Sequence, residues 1–388
     1  MKVLFVSFGI RPNRGAAAFV TETLANSFPP EEMVVVGEQV LFEGRLKRSG
    51  NLPRYYYIRT NLSYKGKGKR FTSFFRWLLF PWLLLRMQLI LKREKCDYVL
   101  GTFPDNYYLL AAYLIAKWNG LRFSSYFHNT YLENRPSGIH HRFAAWMQPK
   151  VFDYSDYIFV MSEGMQSYYR QRYPEALHPK FVPLIHTFEE YPPERPDDFN
   201  QPKERYDLIL MGNFNQSNIE ATRRLVEALK GDSRFRIKMI TQVQKFLLRS
   251  RGIDVDAITY LGFVKQEDFY KEIQNNDFCI LTHGFTGGYS QAEYETIFPT
   301  RTIPFLISGV PILAHTPPHA FLTHFLRKYD CAEVVDQASE EAIRQALERL
   351  IANPERRREL VRNAREVSKR FYASNVAAFF KEKIGSKF

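Results

Sequence analysis

The chain has 388 residues, 45% hydrophobic and 24% charged, with a formal net charge of +13. That length exceeds one ordinary core and implies two domains, and the composition excludes a disordered chain. Cys96, Cys279 and Cys331 are far apart and odd in number, which argues for packed thiols in a reducing compartment and against a disulfide framework. With no C-x-x-C or H-E-x-x-H in the sequence, no structural or zincin-type metal is expected.

The chain opens Lys2-Val3-Leu4-Phe5-Val6-Ser7-Phe8-Gly9. This apolar run is too short for a signal peptide and lacks a small-residue cleavage site. It reads as the first buried strand of a parallel sheet in a cytoplasmic protein. Predicted strands follow at 33–37, 55–59, 98–101, 124–128, 157–161 and 180–183. Predicted helices lie at 16–27, 71–94, 107–119, 140–154 and 164–173. This alternation of short apolar runs with helical stretches argues for α/β layers.

The charge is uneven. Between Leu41 and Lys95 stand fourteen Lys or Arg and two acidic residues, nearly the whole imbalance. A solvated basic surface, an anionic membrane surface and nucleic acid are the three readings. No recognition helix, RNP-like run or finger spacing supports nucleic acid. Within the same stretch, Trp77 to Leu91 has only Arg86 and Gln88 as polar residues. It is shorter than a ~20-residue membrane span, and Pro81 kinks it or starts a new helix. It reads as a core helix, as an element partly inserted in a membrane face beside the basic run Lys65–Arg70, or as both.

A polar, proline-rich break follows, from Glu189 to Pro202, and reads as a linker. The second half restarts with Tyr206-Asp207-Leu208-Ile209-Leu210-Met211-Gly212. Further strands are predicted at 235–240, 258–261, 278–281, 310–314 and 332–335, and helices at 220–230, 266–275, 318–328, 340–352 and 354–369. The domains expected are 1–188, a linker 189–204 and 205–370, with a C-terminal helix in 371–388. Two strand–glycine starts suggest two Rossmann-like halves facing across a cleft.

The most informative segment is Phe298–Ala314, F-P-T-R-T-I-P-F-L-I-S-G-V-P-I-L-A, preceded by a polar loop over Thr286–Glu295. It reads as a loop, a helix opening with hydrogen-bond donors, a glycine stop and a buried strand. Helix N-termini hold anions through free N–H groups and the helix dipole. The segment resembles the donor-sugar-nucleotide stretch F-P-S-K-x-x-E-Y-L-A-x-G-x-P-V-L-A of retaining GT-B glycosyltransferases of the family 4 type. The chain order is similar to that family over nearly its full length.

The resemblance implies roles residue by residue. Gly15, in Arg11-Pro12-Asn13-Arg14-Gly15-Ala16-Ala17, stands where the family has its P-x-x-G-G-A turn and would let backbone approach the donor. His128 ends a strand where the family often has a histidine that contacts the transferred sugar. Gly212 and Asn213 stand where the family has a G-R turn, and the Lys a few residues on is also missing. Arg301 is the replacement cation for the donor diphosphate, since a guanidinium reads phosphate bidentately. Thr300 and Thr302 would add hydrogen bonds. The family's Glu pair falls at Thr296 and Pro304, so ribose recognition must differ or be absent. Glu295 is the near-donor carboxylate if the loop is shifted, and the loop from His283 to Glu295 would close over the sugar.

The resemblance therefore implies an α/β GT-B fold whose C-terminal helix crosses back to the first domain. It implies a glycosyltransferase moving a sugar from a nucleotide-sugar donor to a lipid-linked or polysaccharide-precursor acceptor, with retention. No metal or other cofactor is expected, and no nucleic acid. The anionic inner face of a membrane is the expected partner of the basic stretch 41–95. The alternative of another class is a GT-B-like binding or scaffold protein without catalysis. An epimerase or phosphorylase comes third.

Overall fold

The central strands β1 (Val3–Val6), β2 (Met33–Glu38), β4 (Tyr98–Phe103) and β11 (Phe278–Thr282) are buried along their whole length, as expected for parallel strands covered on two faces. The computed structural model describes residues 1–10, 16–39, 50–60, 76–135, 137–286 and 290–386. Gly15, the run Lys65–Arg70 and most of the basic stretch before Arg76 therefore lie outside the described residues. The chain divides into two units: Met1–Glu189 with Phe371–Phe388, and Glu190–Arg370.

The first unit begins β1 (Val3–Val6), α1 (Ala16–Asn26), β2 (Met33–Glu38), β3 (Arg54–Ile58), α2 (Phe80–Glu94) and β4 (Tyr98–Phe103). It continues α3 (Asn106–Trp118), β5 (Arg122–Phe127), α4 (Gly138–Tyr154), β6 (Ile158–Val160), α5 (Glu163–Arg172) and β7 (Phe181–Pro183). The seven strands run in the order β3-β2-β1-β4-β5-β6-β7 and every pairing is parallel. β1, β2 and β4 are buried along their whole length, whereas the edge strand β3 carries the polar-rimmed sequence RYYYI and is partly exposed. Pro81 sits in the first turn of α2, where a missing N–H leaves no intrahelical bond unmade. Asp105 caps α3 by accepting from Tyr108 N at 2.9 Å, and Ser162 caps α5 by accepting from Met165 N at 3.0 Å.

The second unit runs β8 (Tyr206–Met211), α6 (Ile219–Leu229), β9 (Phe235–Ile240), α7 (Lys245–Ser250), β10 (Ile258–Gly262), α8 (Gln266–Gln274) and β11 (Phe278–Thr282). Then come α9 (Gln291–Thr296), α10 (Thr302–Ile307), β12 (Ile312–His315), α11 (Phe321–Lys328), β13 (Glu333–Val335), α12 (Glu340–Ala352) and α13 (Pro354–Ser368). The order β10-β9-β8-β11-β12-β13 repeats the pattern of the first sheet. In each sheet the order reverses beside the first strand, at β1/β4 and at β8/β11. Open α/β sheets bind ligands outside the carboxyl ends of the strands at such a reversal.

The last helix, α14 (Ala373–Gly385), belongs to the first unit. Its Val376, Ala377, Phe380 and Ile384 join the core of Val3, Phe5, Leu24 and Phe28. Three details depart from the sequence reading. The predicted loop 283–295 contains the short helix α9 from Gln291 onward. β12 starts at Ile312, not Val310, because Gly309 closes α10 at φ +78 and Pro311 offers β11 only its carbonyl, to Cys279 N at 2.9 Å. The helix after it starts at Phe321, three residues beyond the expected Pro318.

Candidate functional site

Arg301 occupies the reversal point of the second sheet. It caps α10, and its guanidinium reaches back across the carboxyl ends of two neighbouring strands. Nη1 donates to Met211 O, at the end of β8, at 3.4 Å, and Nη2 donates to Thr282 O, at the end of β11. Gly212 makes this possible. It holds φ +137, and a Cβ there would stand 2.8 Å from Arg301 Nη1, so only glycine leaves room.

Among the described residues the Arg301 guanidinium is paired with carbonyl oxygens and with no carboxylate, and its Nε has no partner. Burial lowers its pKa to about 10, still well above neutrality, so the charge persists. The residue is half-buried with its Nε buried, and a partly desolvated cation without a carboxylate is a favourable place for an anion.

Around Arg301 the loops supply more polar groups. His283 follows β11 and donates its backbone N–H to His315 O at 2.8 Å. Its Nε2 is buried without a partner, and burial, with Arg301 and His319 nearby, lowers its pKa to about 3. Its ring lies 5.2 Å from that of Tyr294, which brings α9 to the end of β11. Glu295, next along α9, is half-buried and accepts from Gln291 Nε2 at 3.1 Å. Thr302 is buried with Oγ1 unpartnered, and Thr300 is half-buried. Asn213 is exposed. Its carbonyl and that of Phe214 accept from Arg251 Nη1 at 3.0 and 2.7 Å, which fixes the turn after β8. Asn218, just before α6, is buried with Oδ1 unpartnered.

Two expected carboxylate positions have other uses. Thr296 is buried and donates its hydroxyl to Ala292 O at 2.7 Å. Pro304 lies in the first turn of α10, where proline is tolerated because the N–H would be free in any case. α10 has only six residues, so Arg301, more than a long helix dipole, supplies the positive potential here.

The first unit has its own polar cluster. His128 follows β5, donates its backbone N–H to Phe103 O at 3.2 Å, and packs its ring 4.3 Å from Tyr126. Burial, then the neighbouring His186, lowers its pKa to about 3, so it is a neutral hydrogen-bonding group at pH 7. His186 follows β7, with its ring 6.0 Å from that of His128 and its own pKa lowered to about 4 by burial. His128 Nε2, Thr130 Oγ1, both ring nitrogens of His186 and Thr187 Oγ1 are buried without partners. Sequence reasoning missed His186, Thr130, Thr187, His283 and Asn218 as polar groups of these sites. The available signal was position: each stands just past a strand or just before a helix, as His128 does.

The comparisons agree with this architecture. Residues 46–188 match the family model described as Glycosyltransferase Family 4. The sucrose-phosphate synthase of Thermosynechococcus elongatus shares the fold at a TM-score of 0.73 and 13% identity, covering 99% of this chain and 98% of that one. HepE of Anabaena, solved with UDP and glucose, aligns at 0.68 and 11% identity over 100% of both chains. The lipopolysaccharide outer core galactosyltransferase WaaB aligns at 0.61 and 15% identity, again over 100% of both. The family match thus lies within the first unit, and the likeness to these solved structures extends over both units as a shared fold. No curated protein matches it by sequence. The second unit departs from the family pattern that its sequence resembles at Asn213, Thr296 and Pro304. Arg301 and the neutral His283 stand at the carboxyl ends of β8 and β11.

Proposed function

We propose that this chain transfers a glycosyl group from a nucleoside-diphosphate sugar to a lipid-linked or polysaccharide-precursor acceptor, with retention at the anomeric carbon. The observation that carries the donor half is the half-buried Arg301 cation at the ends of β8 and β11, held by carbonyls and paired with no carboxylate among the described residues. In this reading the donor diphosphate is its anion. As the glycosidic bond to the leaving phosphate lengthens, negative charge builds on the diphosphate, and a preorganised cation stabilises it. Thr300, Thr302 and the backbone after Gly212 and Asn213 add hydrogen bonds, and Gly15 is the proposed backbone contact from the first loop. His128, neutral at pH 7, orients the sugar through Nε2, and Glu295 is the proposed carboxylate near the reacting carbon. The chain's own cations take up the charge, so no metal or other cofactor is assigned. The place of action proposed is the cytoplasmic face of a membrane.

UDP is the first nucleotide to test, because HepE, which shares the fold, was solved with UDP and glucose. Thermal unfolding against UDP, GDP, ADP, TDP and CMP is the experiment. A ligand at about 100 times its dissociation constant adds ~2.7 kcal/mol to the folded state. One nucleotide is expected to raise the melting temperature, and Arg301→Ala is expected to abolish the rise without unfolding the protein. The same nucleotide's sugar conjugates are then assayed for transfer. No shift with any nucleotide or nucleotide sugar would overturn the donor reading in favour of a binding protein without catalysis, a reading that the missing carboxylates at Thr296 and Pro304 would suit.

A further inference from the structure

We infer that the outer faces of α2 and α4 form a docking surface for an anionic lipid bilayer. The chain has four tryptophans, Trp77, Trp82, Trp118 and Trp146. All four lie in the first unit, and they are 38%, 45%, 61% and 50% exposed. Single exposed apolar residues are ordinary, but tryptophan is usually well covered. Exposure of every one, three of them on the successive helices α2, α3 and α4 and Trp77 just before α2, points to a surface that meets something apolar.

The pattern along α2 is regular. The exposed Leu78 stands two residues before it, and Trp82, Leu85 and Leu89 are exposed on it, spaced three and four residues apart. That spacing sets them in one stripe along a helix. Leu83, Met87 and Ile90 are buried on another side. The helix is thus held to the unit by one apolar side and carries a second that nothing described covers. α4 extends the patch. Trp77 meets Phe143 edge to face at 5.7 Å, and Phe143 lies 5.6 Å from Trp146. Ile139, at the start of α4, is also exposed.

Charge selects the occupant. Arg86, Lys92 and Arg93 are exposed on α2, and its one acidic residue, Glu94, is buried and paired with Lys2 and Arg54. Arg86 lies over the Trp82 ring at 5.5 Å, and Lys150 over the Trp146 ring at 5.6 Å. Tryptophan and leucine with cations at their flanks suit a helix lying in the headgroup layer of an anionic membrane. Among the described residues no helix is long and apolar enough to cross a membrane, so the contact is one of lying on the bilayer. The inference deepens the proposed function: it rests on that reading for the lipid-linked acceptor, which such docking would bring to the enzyme.

The test uses the full chain with vesicles of phosphatidylcholine alone or mixed with phosphatidylglycerol. The expected result is co-sedimentation with the anionic vesicles, weakened by salt, with a blue shift of tryptophan emission and quenching by brominated lipid. Trp82→Ser/Leu85→Ser/Leu89→Ser should weaken binding by at least about tenfold. Phe246→Ser, at an exposed apolar residue of the second unit, should leave binding unchanged. If the triple variant misfolds, brominated-lipid quenching of the wild type decides alone. The inference is overturned by wild-type protein that stays free of anionic vesicles, by equal binding to neutral ones, by a triple variant that binds normally, or by an emission already blue-shifted in buffer. A wild-type dimer that the triple variant dissociates would also overturn it and assign the face to a second copy. Nucleotide binding is measured on the same samples. Loss of vesicle binding with nucleotide binding intact sinks this inference alone; vesicle binding without any nucleotide response sinks the donor reading alone.

Discussion

Arg301 shows how a residue can depend on a neighbour that has no side chain. Gly212→Ala adds a Cβ where Arg301 Nη1 now lies and forces a side chain into φ +137. The guanidinium must move, and nucleotide affinity is expected to fall by roughly tenfold, about 1.4 kcal/mol, measured by titration calorimetry. Arg301→Lys keeps the charge but loses the two-carbonyl fork, so it should retain part of the affinity that Arg301→Ala loses. The histidines make a separate pH prediction. Burial lowers the pKa of His128 and His283 to about 3, and of His186 and His315 to about 4. An unfolded imidazole takes its proton near ~6.5. Between those values the unfolded state binds more protons, so stability is full above pH ~6.5 and falls as pH drops. Urea midpoints should decline from pH 7 to pH 5, and His128→Gln should make that decline shallower. These histidines were only partly legible in the sequence. His128 could be placed at a strand end, but His186 is fifty-eight residues away, and only the β5-β6-β7 order brings the two rings together.

At the scale of elements, the thirteen described strands were all legible. Central ones such as β1, β2, β4 and β11 were so because a strand buried on both faces is a near-continuous apolar run, and β9 because its sequence FRIKMI alternates polar and apolar residues. The edge strand β3 was legible for another reason, its three tyrosines in a row. What escaped were α7 and α9, six residues each, too short to show a helical repeat. Glu295 was read on a loop and lies on α9, where its carboxylate accepts from Gln291 within the same helix. The missing carboxylate at Pro304 was visible in the sequence, but its physical fit was not: it takes the first-turn place in α10. α14 carries the clearest element-level prediction. Phe380 is fully buried, with its ring 5.8 Å from Phe28 and 5.2 Å from Phe159. Phe380→Ala should cost about 3–5 kcal/mol of stability, read from the denaturant midpoint. A change below about 1 kcal/mol would mean that α14 is not part of the folding core of the first unit.

At the scale of the whole molecule, each unit has a separate hydrophobic core, one around Val3, Phe5 and Phe380 and the other around Leu208, Met239 and Leu347. The chain crosses from the first unit to the second near Glu189 and returns near Phe371, so the first core is completed by residues from both ends of the sequence. Two cores of this kind need not melt together, and a single two-state description need not hold. Scanning calorimetry is expected to resolve two transitions. Phe380→Ala should lower the one that belongs to the first unit. Arg301 and the groups around it all lie in the second unit, so a bound nucleotide should raise the other transition, by an amount that grows with the logarithm of its concentration. Arg301→Ala should remove that rise and leave the first transition where it was. If UDP instead moved both transitions by the same amount, the nucleotide would hold the two units together, and residues of the first, His128 among them, would have to share its binding energy.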